Sequence, residues 1–387
     1  ISACLVGSEM CIRDRRIVVA PDKLKGTLSA AAAAHAIERG LRAALPTAEI
    51  IVCPMADGGE GTVAAFLDRG YAERRVCVQG PLGDPVVASY ALRDRTAIIE
   101  MAAASGLQLV APEHRDIARA STAGTGDLVR AALDDGARHV ILGIGGSATN
   151  DAGAGFAQAL GVRLRDRAAR ELPAGGAALE RLDRIDRTAL DARLRDVVIE
   201  AACDVDSPLL GPSGATMMFG AQKGASADDA RILEAALRHF ADVVERDCGR
   251  HIRDIPGVGS AGGLGFGLLA FAGARLRPGV EVIADVVGLA DALTGADYCI
   301  TAEGRIDRQT LRGKTVAGVA RFARACKASM FAFAGAVEPD AQEALAREGV
   351  VCLPITNEPL SAKDAGARAA PLLEQAARSL GSRLRRP

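Results

Sequence analysis

Short apolar runs, each closed by a polar or glycine-bearing loop and followed by a helical stretch, recur at both ends of the chain. RIVVA at 16–20 stops at Pro21-Asp22 and leads into an alanine-rich stretch that Ser29 is placed to cap. EIIVC at 49–53 runs into PMADGGEG and a helix through Phe66. Near 295 the same alternation returns: DYCIT, a loop, a helix from Thr315, ASMFAFAG, another helix, GVVCLP and a final helix. Strand, loop and helix in that order predict an open parallel sheet, whose ligands lie beyond the carboxyl ends of strands, where PDKLKG and ADGGEG fall.

The middle of the chain has a different texture. VCVQG, the turn PLGDP, VVASYAL and TAIIEMA read as antiparallel strands, with Gly83-Asp84 at a turn. A helix near 125–135 then leads to HVILGIG, and GGSATND opens the next helix. VVIEAAC precedes the loop CDVDSPLLGPSGA, and a long helix spans roughly 226–247. The fold class expected is α/β with two α/β domains. A Rossmann-like parallel-sheet domain is built from both termini, at 15–74 and 295–387, and a larger domain with a mixed sheet is inserted at 75–294. ISACLVGSEMCIRD, at 1–14, lacks the cationic start and apolar run of a secretion signal and reads as a leader extraneous to the fold.

Composition narrows the function. Hydrophobic residues make up 49% of 387, but aromatics are 3% and tryptophan is absent, so the core is aliphatic and platforms for stacking nucleic-acid bases are missing. A net charge of -1 without a basic block argues against a nucleic-acid partner, and no apolar stretch reaches membrane-spanning length. The nine cysteines occur singly, never as CxxC, and several sit in apolar runs; they read as small buried hydrophobes in a reducing, cytoplasmic setting.

Lysine is the informative residue. Arginine supplies 41 of the 47 basic side chains, and four of the six lysines stand in glycine- or proline-bearing turns: Lys23 and Lys25 in PDKLKG, Lys223 in QKG and Lys314 in RGKT. A flexible point charge beside bare backbone amides suits phosphate. GIGGSATND at 143–151 follows an apolar run, so Gly145 and Gly146 allow close approach of an anion to which Ser147, Thr149, Asn150 and a helix N-terminus can donate; a tight turn capped by the same residues is the other reading. Gly262 and Gly263, in GVGSAGGLGFG, fit either anion binding or backbone packing. RGKT is not a Walker loop, because Arg308 stands where that spacing needs glycine. Asp22, Asp57, Glu60, Asp151, Asp204, Asp206, Glu303 and Asp307 each follow a predicted strand or begin a helix, an inventory sufficient for phosphoryl transfer but equally that of helix caps. The five histidines are scattered and suit surface or satisfied core positions.

In combination and order, IVVAPDKLKGTLSA, PMADGGEGT, IIEMAAASGL, STAGTG, ILGIGGSATNDAGAG, ACDVDSPLLGPSGA, FGAQKGA, AGGLGFGLLAF and EGRIDRQTLRGKT resemble the bacterial glycerate kinase family of the discontinuous two-domain type. The resemblance implies transfer of the ATP γ-phosphate to D-glycerate with Mg²⁺, at the 2-hydroxyl to give 2-phosphoglycerate. It leaves as alternatives a kinase or phosphatase for another small hydroxy acid and a non-catalytic protein that binds nucleotides or phosphometabolites. A cytoplasmic monomer or homodimer is expected. The loop readings and this resemblance together lead to Asp204, Asp307, Lys25, Lys223 and Lys314 being expected in catalysis, Asp22, Glu303 and Arg305 at the substrate, and Asp57, Glu60 and Asp151 around Mg²⁺; the nucleotide is expected at Gly145, Gly146, Ser147, Thr149, Asn150, Gly262 and Gly263. One departure from the family pattern bears on backbone geometry: Ala302 stands where glycine is usual, which would strain a position needing positive φ.

Overall fold

The computed structural model describes residues 15–24, 26–308, 310–312, 315–356 and 362–385. Lys25, Lys314 and the leader lie outside the described residues. The chain divides into a terminal unit, formed by the chain up to Met55 together with Val287–Leu311 and the chain from Thr315 on, and an inserted unit, Ala56–Val286.

The terminal unit is built on a five-stranded, wholly parallel sheet, ordered Val350–Pro354, Ser329–Val337, Tyr298–Ile306, Arg16–Val19, Glu49–Val52. Ile17, Val18 and Val19 are fully buried, as expected of a parallel strand covered on both faces. The helix Ala30–Ala44 carries its apolar face, including Ala33, Ile37 and Leu41, into the core it shares with Leu373, Ala377 and Leu380 of the helix Ala362–Leu384. Its first turn is closed as the sequence predicts, with the Ser29 hydroxyl accepting from the Ala32 amide at 3.1 Å. Strand order reverses between Arg16–Val19 and Tyr298–Ile306: the chain leaves the first towards one edge and the second towards the other. That reversal is the topological switch point of the sheet.

The inserted unit carries a six-stranded mixed sheet, ordered Arg275–Arg277, Val198–Ala202, His139–Gly143, Thr96–Glu100, Pro85–Arg93, Ala72–Gln79. The three strands expected to be antiparallel are present, but Thr96–Glu100 pairs antiparallel on one side only and joins His139–Gly143 in parallel. It therefore forms the seam between the hairpin and the parallel half. Two aliphatic cores flank this unit's elements, one around Ile99, Leu128, Leu142 and Phe156, the other around Leu237, Phe240 and Phe266. The long helix Ala227–Cys248 begins with a reciprocal cap between Ser226 and Asp229 and ends on Gly249 in the left-handed region. The stretch 56–74, which the sequence pattern assigns to the terminal domain, packs with the inserted unit: the helix Thr62–Leu67 starts where the Val63 amide donates to Glu100 at 2.6 Å. Among the described residues, the seven cysteines are unpaired and no helix is long and apolar enough to cross a membrane.

Candidate functional site

In the inserted unit the carboxyl ends of adjacent parallel strands open into a pocket of about 440 Å³. His139–Gly143 delivers Gly145, Gly146 and Ser147; Val198–Ala202 delivers Cys203, Asp204 and Val205; and Asp57 and Lys223 enter from flanking loops. The backbone amides of Gly145, Gly146 and Ser147 donate to nothing among the described residues, while the loop's carbonyls are tied back, Gly146 to the Leu107 amide at 2.8 Å. Three consecutive unused N–H groups make a concavity that favours an anion.

Lys223 supplies the matching charge. Its side chain is buried, and Nζ donates to Ser147 Oγ and to the Thr149 carbonyl, each at 2.7 Å. Burial pushes its pKa down to about 7, against the opposing pull of the Asp151 carboxylate. An ammonium that water cannot solvate is stabilised by any phosphate brought to the pocket.

Asp57 and Asp204 stand on the pocket wall. Asp57 Oδ1 accepts from the Gly59 amide at 3.0 Å, and Asp204 Oδ1 from the Gly279 amide at 2.9 Å. Gly279 is required for this: a Cβ there would lie 1.9 Å from the Asp57 carbonyl and 3.3 Å from Asp204 Oδ2. The loop bearing Asp57 and the carboxylate of Asp204 thus pack onto one bare backbone position.

Several expected site residues lie behind the pocket. Asp151, expected around Mg²⁺, is fully buried, and its two oxygens accept from the amides of Thr122, Gly153 and Gly155 and from the Thr122 hydroxyl. Burial raises its pKa, with those bonds opposing. Its lone pairs are spent on holding the turn after Ser147 to the helix Ala123–Asp134. Asp151→Asn is accordingly expected to destabilise the protein by roughly 2–4 kcal/mol, by presenting an NH₂ group to backbone donors; thermal unfolding checks this, and an unchanged Tm would contradict it. Thr149 and Asn150 are also fully buried, the latter donating to Thr216 Oγ1 at 2.9 Å, and neither lines the pocket. Gly262 and Gly263 adopt positive φ because Thr149–Ala152 crowds them; a Cβ on Gly262 would sit 1.9 Å from the Thr149 carbonyl. They pack the anion loop from beneath, while Ser260 and Ala261 reach the pocket. Glu60 is exposed and outside the pocket lining.

The terminal unit gathers its own polar cluster at the switch point. Asp22 is buried where the chain leaves the first strand; its amide donates to the Ala302 carbonyl at 2.9 Å, and its carboxylate accepts from the Lys23 amide and the Thr315 hydroxyl. Glu303 follows on the adjacent strand and accepts from Thr310 Oγ1 at 3.2 Å, and Asp307 exchanges bonds with the same threonine. Ala302 lies in regular strand, outside the residues with positive φ, so its methyl causes no strain. Arg305, expected at the substrate, carries an exposed guanidinium that is paired with Glu338 at 2.6 Å and lies 4.0 Å from Asp307.

Phe219, Gln222, Cys203 and Ser260 line the pocket without having been singled out from the sequence. The signal for Phe219 was an aromatic ring four positions before Lys223 in an aromatic-poor chain.

Parallel strands that end on unused amides, a buried lysine and wall carboxylates define an α/β protein with an anion-handling pocket. The chain belongs to the glycerate kinase family: the model of that family matches residues 17–385. It is 46% identical to a glycerate kinase of Bacillus subtilis over 375 residues, 96% of this chain and 98% of that protein. It is 46% identical to the glycerate 2-kinase of Escherichia coli over 328 residues, 84% and 86% of the two. The crystal structure of a Salmonella typhimurium LT2 protein assigned as glycerate kinase 2 superposes with a TM-score of 0.86 at 43% identity, covering 96% of this chain and 98% of that one.

Proposed function

We propose that this chain is a cytoplasmic kinase that transfers the γ-phosphoryl group of ATP to the 2-hydroxyl of D-glycerate. The observation that carries the reading is the buried Lys223 ammonium bonded to Ser147 beneath the unused amides of Gly145–Ser147. Such an array is preorganised for the charge on a transferring phosphoryl group, where positioning and electrostatics do most of the work.

Family and chemistry imply Mg²⁺, which the residues present can accommodate. A hard cation that keeps water and phosphate oxygens needs only one or two protein carboxylates, and Asp57 stands on the pocket wall. No group of three or more His, Cys, Asp or Glu converges among the described residues, which suits an ion carried in with the nucleotide. When bound, Mg²⁺ would neutralise phosphate charge.

In the reaction the C2 oxygen of glycerate forms a bond to the γ-phosphorus, the bond from that phosphorus to the bridging oxygen of ADP breaks, and the hydroxyl proton passes to Asp204. The Gly279 amide fixes the Asp204 carboxylate for that task, and Lys223 and the loop amides hold the phosphoryl oxygens.

The test is incubation of the purified chain with D-glycerate, MgATP and a panel of other small hydroxy acids, with 2- and 3-phosphoglycerate resolved by ³¹P NMR. The expected product is 2-phosphoglycerate from D-glycerate, and no phosphorylated acid at saturating substrate would refute the reading.

A further inference from the structure

The pocket of the inserted unit is lined by unlike groups. Gly145, Gly146, Ser147 and Lys223 are polar lining, and Leu107, Val205 and Phe219 are apolar. At about 440 Å³ it falls in the roughly 300–1,000 Å³ range that holds drug-sized ligands. A three-carbon acid fills little of that space, and it offers nothing to an apolar wall.

Part of the apolar lining is open to water. Phe219 is half-buried and its ring stacks on no other aromatic among the described residues, although the chain has only nine phenylalanines and three tyrosines. Val205, also in the lining, is 38% exposed, and Met217 and Met218, next to Phe219 in sequence, are 54% and 56% exposed. An unstacked aromatic ring in the lining of a pocket offers a face on which a flat group can stack. Gln222 completes it. The Gln222 backbone carbonyl accepts from Arg115 Nη1 at 3.3 Å, which steadies the segment, but the side-chain amide bonds to no described residue.

We propose that this pocket receives the purine base of the nucleotide, stacked on Phe219 with its edge read by Gln222. The inference rests on the reading of the chain as an ATP-dependent kinase. A carboxamide offers one donor and one acceptor in fixed register, matching the N6–H donor and N7 acceptor of adenine, whereas guanine presents two acceptors at the corresponding edge. Phe219 and Gln222 are therefore specificity-determining residues for the phosphoryl donor. The three residues Phe219, Gln222 and Lys223 divide base face, base edge and phosphate among five consecutive positions.

Isothermal titration of the full chain with MgATP, MgGTP and magnesium tripolyphosphate, which lacks a base, tests this. Phe219→Ala is expected to weaken MgATP binding by about 5- to 150-fold, the range of base–aromatic stacking. Tripolyphosphate affinity should not move, which also shows that the pocket is intact. Phe219→Leu, which keeps apolar volume, should fall between, and Gln222→Leu should erase the preference for MgATP over MgGTP. Wild-type affinity for MgATP in Phe219→Ala or Phe219→Leu, or equal losses for MgATP and tripolyphosphate, would overturn the inference while leaving glycerate phosphorylation by the wild type untouched. Wild-type chain that neither binds MgATP nor phosphorylates glycerate would overturn the kinase reading beneath it, and the inference with it.

Discussion

Lys223→Met is expected to lower kcat/KM for glycerate phosphorylation by roughly 10²–10³-fold, the usual cost of removing one preorganised charge-stabilising group. Methionine keeps the length and apolar stem of lysine, so the loss isolates the ammonium and its two bonds, to Ser147 Oγ and the Thr149 carbonyl. The pH profile gives an independent check. In the folded free enzyme Lys223 is held near 7, so wild-type kcat/KM should fall as pH rises through that value. Phosphate in the pocket favours the charged form, and the corresponding fall in kcat should appear at higher pH.

Stability should follow the opposite slope. The unfolded chain keeps this lysine protonated up to about 10.4, so between about 7 and that value it binds more protons than the folded chain, and stability contributed at this position rises with pH. Below about 7 the full cost of burying the charge is present. Relative to Lys223→Met, the wild type should gain on the order of 4 kcal/mol between pH 7 and 10. Denaturant titrations of both proteins at several pH values check the sign: a difference independent of pH would mean that the side chain is solvated.

The second large effect is at Asp204. Asp204→Asn preserves an oxygen to accept from the Gly279 amide, so the fold should hold, yet it removes the proton acceptor. A fall in kcat of about 10²–10⁴-fold is expected, with little change in Tm or in MgATP affinity. Wild-type turnover would remove Asp204 from the role of proton acceptor.

Which features could be read from the sequence follows from what a linear pattern encodes. Apolar runs closed by glycine or proline located the strands of both sheets except Arg275–Arg277, whose RLR is too short and too charged to stand out, and Ser29 located a helix start, because these are local properties. Lysine scarcity singled out Lys223, because a residue kept for special positions shows as a departure from composition. Facing was not legible. Thr149, Asn150 and Asp151 follow Ser147 within four positions, but the positive φ values of Gly146, Ala152 and Gly153 break any periodicity that would separate pocket from core. Gly262 and Gly263 could not be told from an anion loop, since bare backbone serves close packing and anion binding equally. Arg305 looked available because its partner Glu338 is 33 residues away in sequence. The limit at 74 was misplaced for a similar reason: 56–67 has the strand–loop–helix pattern of the terminal unit, but its helix is anchored by Glu100, from the strand Thr96–Glu100.

The central claim is that the transferring phosphoryl group is held by the amides of Gly145–Ser147 and by Lys223. A crystal structure of the full chain with MgADP, a fluoride mimic of the phosphoryl group and D-glycerate tests it most directly. The account predicts the mimic within hydrogen-bonding distance of the Gly146 and Ser147 amides and of Lys223 Nζ, with the glycerate C2 oxygen in line. A mimic bound elsewhere, with Lys223 still bonded only to Ser147 Oγ and the Thr149 carbonyl, would contradict it.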